Sequence, residues 1–247
     1  MSRLKILYAG DSPVGGPANY LLGILRLLKA DVLHIPPSQL LRPSFLEPRF
    51  NVIIFSDYSK SRVPPETEKK ISAQIRGGTG LWMIGGWGSF SGPFGKWRGS
   101  RIEKLLPVAC SAKDDRTNFP SGAWIVRSQK KSWLNPAWFK SPPVLCGLNR
   151  IFPKKKSLTL LEARRIIGSE KKIRLEGTRY PLLVTSRNLP YKSCALATDL
   201  APHWCGGLVD WGRRERTLTV TKGIQIQVGD FYVDFVAAIL KWLSTPS

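Results

Sequence analysis

Few side chains in this sequence could carry nucleophilic or acid–base chemistry, because it holds only two histidines and four cysteines. His203 lies in "ATDLAPHWCGG", four residues after Asp199 and two before Cys205. An imidazole in such a loop could serve as a general base if an acid oriented it and a hydroxyl or thiol lay within hydrogen-bond reach. Asp199 or Asp210 could supply the acid. Ser89, in "GGWGSFSG", could supply the hydroxyl, although the GxSxG register of a serine-hydrolase elbow is absent. The alternative role for His203 is structural, bonding a loop carbonyl. Cys205 reads as a packed thiol, since a spacing of two residues in a loop fixes no geometry with His203. His34, inside "DVLHIP", reads as a satisfied core or edge histidine.

Asp11, Ser12 and Asp57 follow short apolar runs, where they could bind a cation or a substrate amine, or cap the next element. "GDSPVGGP" could seat an anion on its N–H groups, but it lacks the lysine ending of a P-loop. No CxxC pair occurs, which argues against structural zinc, and no metal or cofactor is expected. Cys110, Cys146 and Cys194 stand in apolar stretches and are expected to be buried thiols.

These residues need elements to hold them. "RLKILYA", "DVLHIP", "NVIIFSDY" and "GLWMIGG" read as strands. "PANYLLGILRLLKA" and "PPETEKKISAQIRGG" read as helices, the second opened by proline and closed by glycine. The alternation implies an α/β fold with a parallel, doubly wound sheet. In such sheets ligands bind beyond the carboxyl ends of the strands. The loops at Asp11–Ser12, Asp57, Gly85–Ser89 and Asp199–Trp204 would then share one rim. Beyond residue 107 the segments "GAWIVRS", "PVLCGLNRI", "KKIRLEG" and "YPLLVTSR" are strand-like, and "LTLLEARRIIG" fits strand or helix. "KSCALATDL" reads as a further core strand and "DFYVDFVAAILKWL" as a terminal helix.

Apolar residues make up 43% of the chain, a globular composition rather than a disordered one. No apolar run reaches the roughly 20 residues of a membrane span. The start reads as a first strand rather than a secretion signal, so the expected location is the cytoplasm. Lys and Arg number 38 against 17 Asp and Glu, a formal charge of +21. That field attracts polyanions. The basic segments "EKK", "SQKK", "FPKKKS", "GSEKKIR" and "GRRER" are dispersed, however, and no nucleic-acid motif is present. A basic surface on an ordinary domain is therefore favoured over nucleic-acid binding. Trp82, Trp87, Trp97, Trp204 and Trp211 fall near the expected rim, as a stacking platform or as core and subunit contacts.

Three stretches, "GTGLWMIGGWGSFSG", "PLLVTSR" and "ALATDLAPHWCGGLVDWG", resemble the class I glutamine amidotransferase-like family of uncharacterised cytoplasmic proteins. The resemblance implies one domain over residues 1–247. Its core would be a flavodoxin-like, mostly parallel sheet with helices on both faces, and a strand-rich insertion would span about 110–180. It also implies a strand-to-helix elbow that presents a cysteine, and a later loop that presents histidine and then an acid. Gly85-Gly86-Trp87-Gly88 falls on the elbow with Trp87 in the cysteine's place. His203 falls on the histidine loop with Cys205 in the acid's place. An indole has no ionisable nucleophile, so glutaminase activity is not expected. The expectation is a binding or assembly protein that forms homo-oligomers. A small-molecule ligand would be held near Asp11, Ser12, Asp57, Gly86, Trp87, Asp199 and Trp204. The competing expectations are a hydrolase or transferase built on His203 with Ser89 or a strand-end acid, and a polyanion-binding protein.

Overall fold

A computed structural model describes residues 3–12, 15–129, 132–168 and 172–245. Positions 13–14 of the "GDSPVGGP" loop, and 130–131 and 169–171 of the basic segments, lie outside the described residues. The first part of the chain alternates strand and helix. It runs β1 (Lys5–Gly10), α1 (Ala18–Leu27), β2 (Asp31–Ile35), β3 (Val52–Ser56), α2 (Pro65–Arg76), β4 (Gly80–Ile84) and the short α3 (Arg101–Leu105). Strands then dominate: β5 (Val108–Ala109), β6 (Arg116–Arg127), β7 (Val144–Asn149), β8 (Phe152–Pro153), β9 (Ser157–Gly168), β10 (Ile173–Leu175), β11 (Tyr180–Ser186) and β12 (Ser193–Leu196). A hairpin, β13 (Glu215–Thr221) and β14 (Ile224–Gly229), leads into α4 (Asp230–Ser244).

One large sheet organises the molecule, in the order β2-β1-β3-β4-β12-β11-β9-β6-β7, with β10 paired to β9. From β2 to β12 all pairs are parallel, and from β12 onward all are antiparallel. Every residue of β3 and β4 is buried, as continuous apolar runs demand when both sheet faces are covered. The segment "LTLLEARRIIG", ambiguous by pattern, is β9, hydrogen-bonded between β11 and β6. β6, β7 and β9 therefore extend the sheet that begins with β1.

The helices follow their sequence signals. Pro65 opens α2, Glu66 and Glu68 occupy its first turn, Arg76 its last, and Gly77 caps it, an arrangement that favours the helix dipole at both ends. α1 buries Leu21, Ile24 and Leu25, and it packs against the β13–β14 hairpin through Gly23. A Cβ there would stand 3.2 Å from Ile226 Cδ1 and 3.3 Å from Leu218 Cβ. α4 contacts β3, β4, β14 and α1 through its buried face of Val233, Val236, Ile239, Leu240 and Leu243. Among the described residues no helix is long and apolar enough to cross a membrane.

The antiparallel half turns back toward the parallel half. The backbone N–H of Asn149, at the end of β7, donates to Ala197 O just after β12 (2.8 Å). The N–H of Cys146 donates to Trp204 O (2.8 Å), and Thr198 Oγ1 donates to Gly147 O (2.9 Å). The last strand of the sheet order is thus fastened to the loop that carries the histidine.

Candidate functional site

Because β1, β3, β4 and β12 are adjacent and parallel, their carboxyl ends lie on one edge of the sheet. That edge carries Asp11, Asp57, the elbow from Gly85 to Ser89, and Asp199. Each aspartate has fixed donors. The Tyr8 hydroxyl donates to Asp11 Oδ2. The Gly88 N–H donates to Asp57 Oδ1 (2.6 Å), and the Cys205 N–H donates to Asp199 Oδ1 (2.8 Å). None of the three joins an ion pair among the described residues. Ser12 is exposed.

The three carboxyls also feel one another. Burial, then the charge of Asp57, raises Asp11 to about 7, opposed by hydrogen bonds from Tyr8 and Ser56. Burial raises Asp199 to about 8, and Asp57 and Asp11 add to the rise. Burial likewise raises Asp57, against the Gly88 hydrogen bond. Desolvation and like charge both disfavour ionisation, so this rim holds protons at a pH where free aspartates have lost them. Among the described residues no group of three His, Cys, Asp or Glu is placed to hold a metal ion.

The elbow is anchored on both sides. Gly86 has φ +146°, a backbone state open to glycine and strained for other residues. A Cβ there would also collide with the Asp57 carboxylate. The Gly86 N–H donates to Asn149 Oδ1 (2.9 Å), and Asn149 Nδ2 donates to Gly86 O (3.2 Å) and Asp115 Oδ1 (2.8 Å). Asp115 in turn accepts the Ser91 N–H (2.7 Å). Asn149 and Asp115 are fully buried. Trp87, at the bend, is 47% exposed. The Arg116 guanidinium stands 4.6 Å from its ring centroid and is held in turn by Asp114 (2.7 Å). The chain then runs through turns, and the next helix is α3.

Ser89 is buried, and its Oγ accepts the Asp57 N–H (3.0 Å). His203 is exposed, with φ +145°. No hydrogen bond joins Ser89 to His203 among the described residues. Trp204 is buried, and its indole N–H donates to Asn118 Oδ1 (2.9 Å). Cys205 is buried, and its thiol donates to Ala201 O (2.8 Å). Burial, then the charge of Asp199, pushes that thiol far up, which keeps it protonated. His34 bonds Gly10 O through Nε2 (2.8 Å) and stacks on Tyr8 at 4.7 Å, the satisfied histidine expected of it.

The family model described as "Putative glutamine amidotransferase" matches residues 51–221, well over half of the chain. The chain belongs to this amidotransferase-like family. Its fold is similar to that of Cytoplasmic Protein STM3548 from Salmonella typhimurium, with a TM-score of 0.73 and 21% identity over 97% of this chain and 99% of that one. Cytoplasmic Protein STM1381 from Salmonella typhimurium LT2 is similar as well, with a TM-score of 0.65 and 22% identity over 98% and 100%. A cold-adapted beta-galactosidase from Rahnella sp. R3 contains the fold within a longer chain. There the TM-score is 0.53 and the identity 10%, over 99% of this chain and 32% of that one. At these identities the likeness is one of fold. No curated protein matches in sequence.

Within this amidotransferase-like chain, two residues that shape the elbow were not anticipated. Asn149 and Asp115 come from segments far along the sequence, and the only hint is a polar residue ending the apolar run "VLCGLN". The expected burial of Cys146 is corrected: it is exposed, because its strand β7 alternates and Cys146 falls on the outer face with Val144. Trp82, Trp97, Trp204 and Trp211 are core residues, and Trp87 alone of the five is exposed.

Proposed function

We infer that the chain is an amidotransferase-like protein that does not hydrolyse glutamine and acts by binding. One observation carries this reading. The bend after β4, where the family's reactive sulfur is expected, bears Trp87 with its ring in solvent under Arg116. Thiolate attack has no counterpart in an indole. The donors around the bend support the same reading. An oxyanion needs N–H groups free to receive it, and those of Gly86 and Gly88 are already bonded to Asn149 and Asp57. A hydrolase using Ser89 and His203 is less well supported, since one is buried and bonded to the backbone while the other is exposed.

On this reading Asp11, Asp57 and Asp199 face a small ligand able to donate hydrogen bonds, such as an amine, with Ser12, Gly86, Trp87 and Trp204 around it. The chain acts as one domain with a strand-rich insertion at about 110–180. The strand order β2-β1-β3-β4-β12 is that of a flavodoxin-like sheet, with α1 and α4 on one face and α2 and α3 on the other. A homo-oligomer in the cytoplasm completes the proposal.

The test is ammonia release from glutamine by the full chain. No release above background is expected. Turnover that disappears in His203→Ala would overturn the reading.

A further inference from the structure

A cavity of about 300 Å³ opens beside the elbow. It is lined by Asp57, Ser59, Ser61, Arg62, Phe94 and Lys96, among others. Arg62 and Lys96 form no ion pair and no side-chain hydrogen bond among the described residues. The same cavity is lined by Ser59 and Ser61, whose hydroxyls are hydrogen-bonded to each other (2.8 Å). Two cations and the one hydroxyl hydrogen that the serine pair leaves free, lining one space, suit a multiply charged oxyanion, whose oxygens can accept from all three. Phe94 is 59% exposed and offers a flat apolar face to a ring. Asp57 spends Oδ1 on the Gly88 N–H, which leaves Oδ2 to accept from a hydroxyl. The volume is at the small end of ligand pockets, which run from about 300 to 1,000 Å³, so it suits one such unit and not a dinucleotide. The formal charge of +21 draws anionic ligands toward the whole surface.

We propose that this cavity binds a nucleotide, with the phosphate between Arg62 and Lys96, the base on Phe94 and a sugar hydroxyl on Asp57. The proposal rests on the reading that the chain acts by binding and assigns a ligand class to this cavity, which shares Asp57, but not Asp11 or Asp199, with the rim above. A free mononucleotide and the terminal nucleotide of a single strand share this chemistry.

The full chain is titrated with AMP by calorimetry and with a fluorescein-labelled oligothymidylate by anisotropy. Arg62→Glu with Lys96→Glu should weaken AMP binding by at least about tenfold, as loss of two charge-assisted contacts requires, and Phe94→Ala should weaken it as well. Lys155→Glu with Lys156→Glu makes the same charge change in the exposed turn before β9 and should leave AMP binding unchanged. An unaltered thermal transition in each variant shows that the fold is kept. If the oligothymidylate also loses affinity only in the cavity variant, the source is a strand end. If it is indifferent to the cavity variant, the source is the free nucleotide. Absence of saturable AMP binding, or equal losses from both charge reversals, would overturn the proposal. Neither result depends on ammonia release, which tests the parent reading separately.

Discussion

At the residue scale, Trp87 and the three rim aspartates make separate predictions. Restoring a thiol with Trp87→Cys should give no glutaminase activity, because the flanking N–H donors stay bonded to Asn149 and Asp57. Ammonia release above background from this variant would refute the argument from donors. The aspartates predict a pH dependence of stability. In the unfolded chain they titrate near about 4, whereas in the folded protein Asp11 and Asp199 keep a proton to about 7 and about 8. Between those limits the folded state binds more protons than the unfolded state. Stability should therefore be greatest at the acid end of that window, fall as pH rises through it, and level off above about 8. Because the carboxyls interact, the window belongs to the cluster and not to one residue. Asp199→Asn should flatten the decline and raise the melting temperature at pH 8. A melting temperature that climbs from pH 5 to pH 8 in the parent would contradict the cluster's electrostatics. The aspartates were visible in the sequence as acids at strand ends. Their sharing one rim followed from fold logic; residue spacing could not supply the contact itself, since that depends on β12 joining the sheet beside β4.

Elements were legible where one physical signal dominated. β1, β3 and β4 are apolar runs bounded by glycine or a polar residue, and α2 has proline at its start and glycine at its end. β9 was ambiguous because "LTLLEARRIIG" satisfies both periods, and its two antiparallel neighbours decide the matter. The β13–β14 hairpin was not anticipated, although Ile224, Ile226 and Val228 alternate with glutamines. Its partner is a helix distant in sequence, and the one trace of that contact is Gly23 in α1. Leucine at 23 would favour the isolated helix by about 1 kcal/mol. Against the hairpin it would meet Ile226 and Leu218, and overpacking costs about 1–3 kcal/mol. Gly23→Leu should therefore lower the midpoint of chemical denaturation. A raised midpoint would mean that α1 and the hairpin do not pack as described.

Over the whole molecule, the parallel half and the antiparallel half meet at Asn149. That side chain bonds Gly86 N–H, Gly86 O and Asp115 at a fully buried position. Asn149→Ala would strand the buried Gly86 N–H and Asp115 Oδ1 and leave Gly86 O with the Ser89 N–H (3.4 Å); at about 1–3 kcal/mol for each stranded group, a loss of at least about 2 kcal/mol is expected in equilibrium denaturation. A loss within about 0.5 kcal/mol, the range of ordinary surface changes, would show that the contact does not hold the elbow. The sequence announced a globular α/β chain of high positive charge, but the joining of its two halves at Asn149 is a property of the assembled sheet, and the polar end of "VLCGLN" is the one local trace of it.

This fastening has a consequence for biosynthesis. The acceptor for the Gly86 amide arrives 63 positions later in the chain, and pairing across such separations is slow to form. While the polypeptide is still leaving the ribosome, β1 to β4 can assemble with their bend unfinished, an unpaired amide waiting in water. The rim becomes competent only after residue 149 has emerged and β12 has followed it, so truncated products that end before Asn149 should carry the parallel strands without a functioning edge.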